Sequence, residues 1–430
     1  MTAPAVQHYL DSFARSACLS EGAPWLHETR QQALAHFAAT GFPTSKNEAW
    51  KYTSLYAFEQ QPFVLAEAVQ VTTIPEIAGL DAHRLVFVNG HLIGTPPEMP
   101  AGVRLAPLAP LFSAEQALLA PYLDSAPTDV FANLNTAFLR DGLLLELAAG
   151  SILDKPLHLV FLSQPGSEPG MAHPRIIVRL ARGAQATIIE HYTGNGASAF
   201  TNVVTQLDLA DNAELHHYRL QEESAAHFHL ASLRAQQARD SRLFAHNFML
   251  GGKLARLQTH VSLQAPGAEC LLNGLTLASD QQHHDSHLLV EHAAGPSRSI
   301  QDHRAVVADR ARGVWNGKVI VQPGADGTDA RQSSKNLLLG KIAEADVKPE
   351  LEIYADDVKC SHGATVGQLD MDALFYMRSR GVEASVARSL LVFAFADSVL
   401  TRITLPALRK HLEQQLIARL PDSARIREFT

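Results

Sequence analysis

Cysteine is scarce in the 430-residue sequence, which contains only Cys18, Cys270 and Cys360. Because the three are widely separated and odd in number, they form no disulfide framework, and we expect free thiols in a reducing compartment. Long apolar runs are also missing, since the most apolar stretch, Leu390–Ala396, is too short to span a bilayer. The N-terminal residues do not show the pattern of a signal peptide. We therefore predict a cytoplasmic protein without a membrane partner.

Clustered positive charge is absent as well. The formal net charge is −8, whereas a nucleic-acid-binding protein needs a basic face that neutralises phosphates. The sequence contains neither the GxxxxGK(S/T) pattern of a nucleotide-binding P-loop nor the GxSxG pattern of many serine hydrolases. These absences predict that this chain binds no nucleic acid and no nucleotide.

The first part of the chain has the apolar spacing of helices. Leu26 and Phe37 belong to a helical pattern that ends at Gly41, which predicts an N-terminal helical segment over residues 1–70. Trp50 follows in a polar segment, and we expect this aromatic side chain to pack back onto the domain.

Residues 71–139 are rich in proline and glycine and contain one clear short strand, Arg84–Val88, followed by the turn pair Asn89-Gly90. We interpret this region as a connecting segment with short strands and a small fold of its own.

A repeated pattern begins at about residue 140. Each copy has two apolar residues two positions apart, then two or three residues, then Gly, Asn or Asp. Copies recur at intervals of about 26 to 33 residues, or at about twice that interval where one copy is degenerate. Copies begin at Leu145, Val178, Leu207, Val261, Val319 and Leu351.

Apolar residues two positions apart point to the same side of a strand, and Gly, Asn and Asp tolerate the left-handed backbone of a sharp corner. Stacked strands of this kind predict a mainly β fold with a parallel β-helix core over residues 140–367, and a β-sandwich is the alternative. A doubly wound α/β domain is disfavoured because no crossover helices separate the strands.

The spacing becomes helical again over residues 368–430, where Leu408, Leu412 and Leu416 recur four residues apart. We predict a C-terminal helical domain. Two roles remain open for it: covering the open end of the stack, or offering an apolar surface to a partner.

The strongest candidate site is Cys360 with His362, a C-x-H arrangement at the end of the last repeat, close to Gly363 and Gly367. On a strand, the period of two places both side chains on one face. A thiolate beside an imidazole is a plausible site for a soft metal or for sulfur. Because two ligands cannot complete a tetrahedral site, the remaining ligands must come from elsewhere, for example from another subunit.

Histidines are also frequent in the segment His283–His292, HHDSHLLVEH. This segment lacks the HExxH pattern and lies in repeat-like strand sequence, where ligands at i and i+4 do not converge as they do on a helix. We interpret these residues as histidines on solvated strand faces and not as a zinc site.

Five segments together resemble the SufB/SufD family of iron–sulfur cluster assembly proteins. They are Lys46–Leu55 (KNEAWKYTSL), Arg310–Ala325 (RARGVWNGKVIVQPGA), Gln332–Leu339 (QSSKNLLL), Tyr354–Gly367 (YADDVKCSHGATVG) and Leu374–Gly381 (LFYMRSRG). The chain looks closer to the SufD branch than to the SufB branch, because it is shorter, is poor in cysteine and carries the KNEAWKYT segment.

The resemblance implies a right-handed parallel β-helix flanked by helical segments, in a complex of SufB, SufD and two copies of the ATPase SufC. It implies that residues 368–430 dock the SufC-like ATPase, which binds the ATP. It also implies that the C-terminal ends of the two β-helices pair, with a transient iron–sulfur cluster at their junction. His362 then corresponds to the SufD histidine of the K-C-S-H-G motif, with Cys360 beside it as a second candidate metal ligand.

On this interpretation the chain is a non-catalytic scaffold subunit whose partners are a SufC-like ATPase and a SufB-like paralogue. One alternative is a stand-alone metal-binding module that forms a homodimer when isolated. The other is a carbohydrate-active enzyme with a β-helix fold, which usually carries a cluster of charged residues along a groove. No such cluster is evident in the sequence.

Overall fold

The computed structural model describes residues 3–124, 126–196 and 198–420. The helices are α1 Pro4–Arg15, α2 Pro24–Thr40, α3 Tyr56–Glu59, α4 Leu108–Ala114, α5 Gln116–Leu123, α6 Val130–Phe138, α7 Met371–Ser379, α8 Ala384–Leu400 and α9 Pro406–Ala418. The early strands are β1 Val64–Leu65, β2 His83–Val88, β3 His91–Ile93, β4 Val103–Pro107, β5 Gly142–Leu147, β6 Leu157–Ser163, β7 Gly170–Ala172, β8 Arg175–Leu180 and β9 Gln185–Gly194. The later strands are β10 Phe200–Leu209, β11 Glu214–Glu223, β12 Phe228–Gln237, β13 Arg242–Met249, β14 Leu254–Leu263, β15 Glu269–Ala278, β16 His283–His292, β17 Arg298–Val307, β18 Arg312–Val321, β19 Thr328–Leu338, β20 Glu344–Ile353 and β21 Val358–Gly367.

From β8 onward, the long strands alternate between two sheets, so that each turn of the chain adds one strand to each sheet. Sheet I runs in the order β20-β18-β16-β14-β12-β10-β8-β5-β4, and sheet II runs β21-β19-β17-β15-β13-β11-β9-β6-β2-β3. Phe200 pairs in parallel with Phe228, which pairs with Leu254, in agreement with the predicted repeat interval. The predicted mainly β fold, a parallel β-helix with helical segments at both ends, is confirmed, and it has about eight turns.

The corners of this β-helix have the backbone conformation that the repeat predicts. Gly183, Asn212 and Gly324 follow strands of sheet I and have φ angles of 69°, 57° and 79°. Asp240, which follows the degenerate copy in β12, has a φ of 55°. Because few residues other than Gly, Asn and Asp tolerate this left-handed region, the corner positions of the repeat are restricted to these types.

Inside the β-helix, each turn packs its apolar side chains against the turns above and below. One column in sheet I consists of residues that are buried in every turn, until Leu351 in the last strand, which is half-buried. The column contains Val178, Leu207, Ala235, Val261, Val290 and Val319. Burying an aliphatic side chain contributes about 1.5–3 kcal/mol, so the stacked columns are a principal source of stability.

The strands of residues 71–139 extend the two sheets. Strand β2 pairs in parallel with β6 and continues sheet II, and β4 pairs antiparallel with β5 at the edge of sheet I. The proposed boundaries at residues 70, 139 and 367 remain predictions.

The N-terminal helices pack on the outer side of sheet I. Trp50 is buried, as expected, in an apolar cluster that includes Phe58, Phe200 and Phe228. The guanidinium carbon of Arg256 lies 4.0 Å from the centroid of the Trp50 ring. None of the helices in the described residues has the length and hydropathy needed to cross a membrane.

The C-terminal helices α8 and α9 pack along the outer face of sheet II, where Val399 and Leu412 join Tyr218 and Phe248 in one apolar cluster. The interpretation that they cover the open end of the stack is wrong for β21, because Ser361–Gly367 are exposed. Of the predicted domain over residues 368–430, residues 421–430 lie outside the described residues.

We predict that Leu263→Ala lowers the free energy of unfolding by about 2–5 kcal/mol, because Leu263 is fully buried in the core and its truncation leaves a cavity. Urea unfolding followed by circular dichroism measures the change. The matched control is Gln258→Ala, at an exposed position of the same strand, which is expected to change stability by less than about 0.5 kcal/mol. Equal effects of the two substitutions would contradict the assignment of Leu263 to the core.

Candidate functional site

Cys360 and His362 lie on β21, the last strand of sheet II. This strand pairs with β19, where Ala330 is opposite Cys360 and Gln332 is opposite His362. The other edge of β21 has no strand partner among the described residues. His362 is exposed and Cys360 is half-buried.

Both side chains occupy positions that face the interior of the β-helix in every earlier turn. In earlier turns of sheet II, Ala330 and Cys270 occupy the position that Cys360 has in β21, and both are buried in the core. Gln332, below His362, is also buried, whereas Arg331 between the two columns is exposed. The two site residues therefore share the inner face, as the strand period predicts, and lie roughly 7 Å apart along the strand. They are accessible because no described strand stacks on β21.

Burial raises the pKa of the Cys360 thiol, and the nearby Asp329 carboxylate adds to this shift, while a hydrogen bond with the Ala330 backbone opposes it. In the isolated chain the group is therefore a thiol at neutral pH, and not the thiolate that binds metals and attacks sulfur. A bound cation would have to stabilise the thiolate.

The interior below this end is polar but uncharged. The Gln332 side-chain amide donates to the Gln301 carbonyl oxygen at 3.3 Å. The His303 ring stacks on Trp315 with their centroids 6.3 Å apart. Burial lowers the pKa of His303 to about 3, so this imidazole is neutral. Deeper in the β-helix, His303 lines a small cavity of about 30 Å³ together with His217.

Below that cavity the interior contains buried ionic groups. The Glu190 carboxylate lies 2.9 Å from His217 Nε2, and the Glu223 carboxylate lies 2.7 Å from His229 Nδ1. Burial by itself would raise the pKa of Glu223, but the neighbouring histidines His227 and His229 lower it well below its usual range. Buried polar groups are costly unless they are fully paired, so this network constrains the register of the middle turns.

Exposed apolar side chains are concentrated near the open end. Of the ten large apolar side chains that are exposed in the described residues, six lie between residues 353 and 376, on β20, β21, α7 and the adjacent connections. We call these six residues the end patch: Ile353, Tyr354, Val366, Met371, Phe375 and Tyr376. Contiguous exposed apolar surface marks interaction sites in soluble proteins, so these six residues are candidates for a contact surface.

The histidines of His283–His292 have structural partners. His283 Nε2 lies 2.9 Å from the Thr53 hydroxyl, and the two ring nitrogens of His292 each lie 2.8 Å from a serine hydroxyl. The interpretation of solvated strand faces is wrong for His284 and His292, which are buried because they lie on the inner face of β16, the face that also carries Val290.

A different group of potential metal ligands, His191, Glu222 and His411, converges between sheet II and α9. Sequence reasoning missed it because the three residues belong to three distant segments. The available signal was weak: His191 replaces an apolar residue at a strand position where the neighbouring strands carry Val160 and Leu220.

Comparison with known proteins gives a consistent result over nearly the whole chain. Residues 4–159 match the family model of the SufBD protein N-terminal region, and residues 161–395 match the SufBD core domain of SUF-system FeS cluster assembly. The chain is 35% identical to the iron–sulfur cluster assembly protein SufD of Escherichia coli, over 92% of this chain and 93% of that protein. It is 33% identical to an iron–sulfur cluster assembly SufBD family protein of Synechocystis, over 90% of this chain and 89% of the other.

The three thiols are predicted to differ in reactivity with iodoacetamide in the native chain. Cys18 is exposed and should react first, Cys360 more slowly, and Cys270 hardly at all, because burial excludes the reagent and raises the Cys270 pKa to about 12. The alkylation rate of a cysteine rises with pH until its thiol is fully ionised. Because the Cys360 pKa is raised, its alkylation rate should continue to rise at pH values where the rate of an unperturbed cysteine is already constant. Mass spectrometry of the labelled peptides measures each rate.

The urea-unfolded chain is the control, in which all three cysteines should be alkylated at similar rates. Rapid alkylation of Cys360 at pH 7 in the native chain would show that its thiol is ionised and would contradict this assignment.

Proposed function

Because this chain belongs to the SufBD family of iron–sulfur cluster assembly proteins, we propose that it acts as a SufD-type, non-catalytic scaffold subunit. Its partners are a SufB-type paralogue and a SufC-type ATPase. His362, with Cys360 beside it, contributes ligands to a nascent cluster at the junction with the paralogue. The observation that carries this proposal is the exposed position of His362 on the inner face of the last turn.

The open end of the β-helix suits a partner with the same architecture. Among residues 3–420, as far as they are described, no strand pairs with the outer edge of β21, and such an unpaired edge accepts a further strand. A paralogue that presents its own last turn would continue the stack and bury the inner side chains of β21. The same surface could pair two copies of this chain when the paralogue is missing, which is the homodimer alternative.

His362 and Cys360 supply one nitrogen and one sulfur ligand. Iron in such clusters is held mainly by thiolates, with histidine as a known substitute, so the remaining ligands have to come from the partner. The cluster is the cargo of this site, and its assembly would couple metal binding to deprotonation of the Cys360 thiol.

The C-terminal helices offer the docking surface for the ATPase. Met371, Phe375 and Tyr376 on α7 are exposed, whereas α8 and α9 are fixed to sheet II by an apolar cluster. A movement imposed on these helices by the ATPase would therefore reach the β-helix. The names of the relatives support cluster assembly over the alternative of a carbohydrate-active enzyme.

We predict that His362→Ala leaves folding and complex formation intact but abolishes cluster accumulation. The side chain is exposed and forms no hydrogen bond with another described residue, so its loss should cost little stability. The variant is co-expressed with both partners, purified without oxygen and analysed for iron and acid-labile sulfide. The iron and sulfide content of the complex should fall by more than the roughly tenfold effect of removing an outer-shell group, because a direct ligand is removed.

The matched control is Ser361→Ala, since Ser361 is exposed on the same strand but points to the other face. Cys360→Ser, analysed in parallel, shows whether the thiol is a ligand. A His362→Ala complex with the iron and sulfide content of the parent complex would exclude His362 as a ligand.

We also predict that Met371→Glu combined with Phe375→Glu prevents co-purification of the ATPase while the paralogue stays bound. The substitutions place charge on exposed apolar positions of α7 and leave the buried faces of α8 and α9 unchanged. Tyr56→Glu is the control, because Tyr56 is equally exposed but lies in the N-terminal segment. Retention of the ATPase by the double variant would show that α7 is not its docking surface.

A further inference from the structure

Three side chains from separate parts of the chain meet on the outer face of sheet II. His191 lies on β9, Glu222 on β11 and His411 on α9. The His191 Nε2 atom is 3.0 Å from a Glu222 carboxylate oxygen, and the His411 Nε2 atom is 3.1 Å and 3.2 Å from the two carboxylate oxygens. One ligand atom from each residue lies within 4.8 Å of the other two.

This group is embedded in an apolar contact. The neighbours of His191 in the strand register are Val160 and Leu220, and Leu408 and Leu412 on α9 pack against the same face of the sheet. The side chain of His191 is only 2% exposed, and those of Glu222 and His411 are 9% and 14% exposed. Two imidazoles and a carboxylate in such a place need strong mutual interactions to offset their desolvation.

The donor set is the one that divalent transition metals prefer. Two imidazole nitrogens and one carboxylate oxygen form three-ligand sites for zinc and for non-haem iron(II), in which water occupies the remaining positions. Metal–ligand distances near 2.0–2.2 Å require ligand atoms a few ångströms apart, which is the separation found here. The partial exposure of Glu222 and His411 leaves a route for a cation and its water.

A third histidine, His158, orients His191. His158 Nε2 lies 3.3 Å from His191 Nδ1, and the two rings are stacked with centroids 5.5 Å apart. In this geometry the His158 Nε2 atom can accept the Nδ1 proton of His191. With its proton on Nδ1, His191 can bind a cation through Nε2 on the side of Glu222, and metal-binding histidines are oriented by a second partner in this way.

We propose that His191, Glu222 and His411 form a binding site for one divalent transition-metal cation of the zinc or iron(II) class. The cation ties helix α9 to the β-helix through two strands of sheet II. The site lies on the outer face, on β9 and β11, whereas His362 lies on the inner face of β21. It is therefore independent of the cluster site and of the proposed scaffold role.

The test uses the full-length chain carrying Cys360→Ser and His362→Ala, so that the end of the β-helix contributes no ligands. After treatment with a chelator and its removal, the chain is titrated calorimetrically with Zn²⁺ and, without oxygen, with Fe²⁺. One equivalent of one or both metals should bind, and the melting temperature should rise on binding because the cation stabilises the folded state. Glu222→Gln and His411→Gln should each weaken binding by more than about 100-fold, and His158→Phe by about 10–100-fold.

His36→Gln, on helix α2, is the matched control and should bind like the parent. Binding of Co²⁺ gives an independent optical signal that reports nitrogen and oxygen ligands. Absence of stoichiometric binding would overturn the proposal and leave the three residues as a hydrogen-bonded clamp. Unchanged affinity and melting shift in both Glu222→Gln and His411→Gln would overturn it as well, because the metal would then be bound elsewhere.

Discussion

Stacking of each turn on the next is the interaction on which this structure depends. A turn of the β-helix buries its inner side chains against the turns above and below it and pairs its strands with those same neighbours. Within the part of the chain that the structure describes, the last turn has only one neighbour, so β21 keeps an unpaired edge and inner side chains that remain accessible. Cys360 and His362 occupy two of these positions. The geometry that stabilises the middle of the protein thus leaves inner side chains accessible at this end.

The outer face of sheet II is buried in a different way from the interior of the β-helix. Its apolar residues, among them Tyr218 and Phe248, are covered by α8 and α9 and not by a further turn. Helices that could have closed the open end instead lie along the side of the β-helix. The described end of the β-helix is thereby left uncovered, while α8 and α9 are held to sheet II by an apolar cluster. His411 contributes a polar contact to this attachment through Glu222.

The parts of the fold that could be predicted were those with a local cause. Alternating apolar residues followed by Gly, Asn or Asp specify a strand and a corner within about ten residues, and Gly183 and Asn212 adopt the expected left-handed backbone. The errors concerned environments created by distant residues. The sequence predicts solvated faces for the segment His283–His292, yet His284 and His292 face the interior of the β-helix. On the outer face, Thr53, which is 230 residues from His283, contacts His283. No pattern within a strand reports what will be packed on its outer side.

The sequence by itself determined the repeat, the corners and the common face of Cys360 and His362, because strand periodicity and backbone preferences act between near neighbours. Only the tertiary structure decided that this face is the inner one, that no described strand covers the last turn, and that burial raises the pKa of the Cys360 thiol. It alone brought His411 to Glu222, across 189 residues of chain. Such convergence depends on how whole sheets and helices pack, since burial and charge at a point in space are set by residues far apart in sequence.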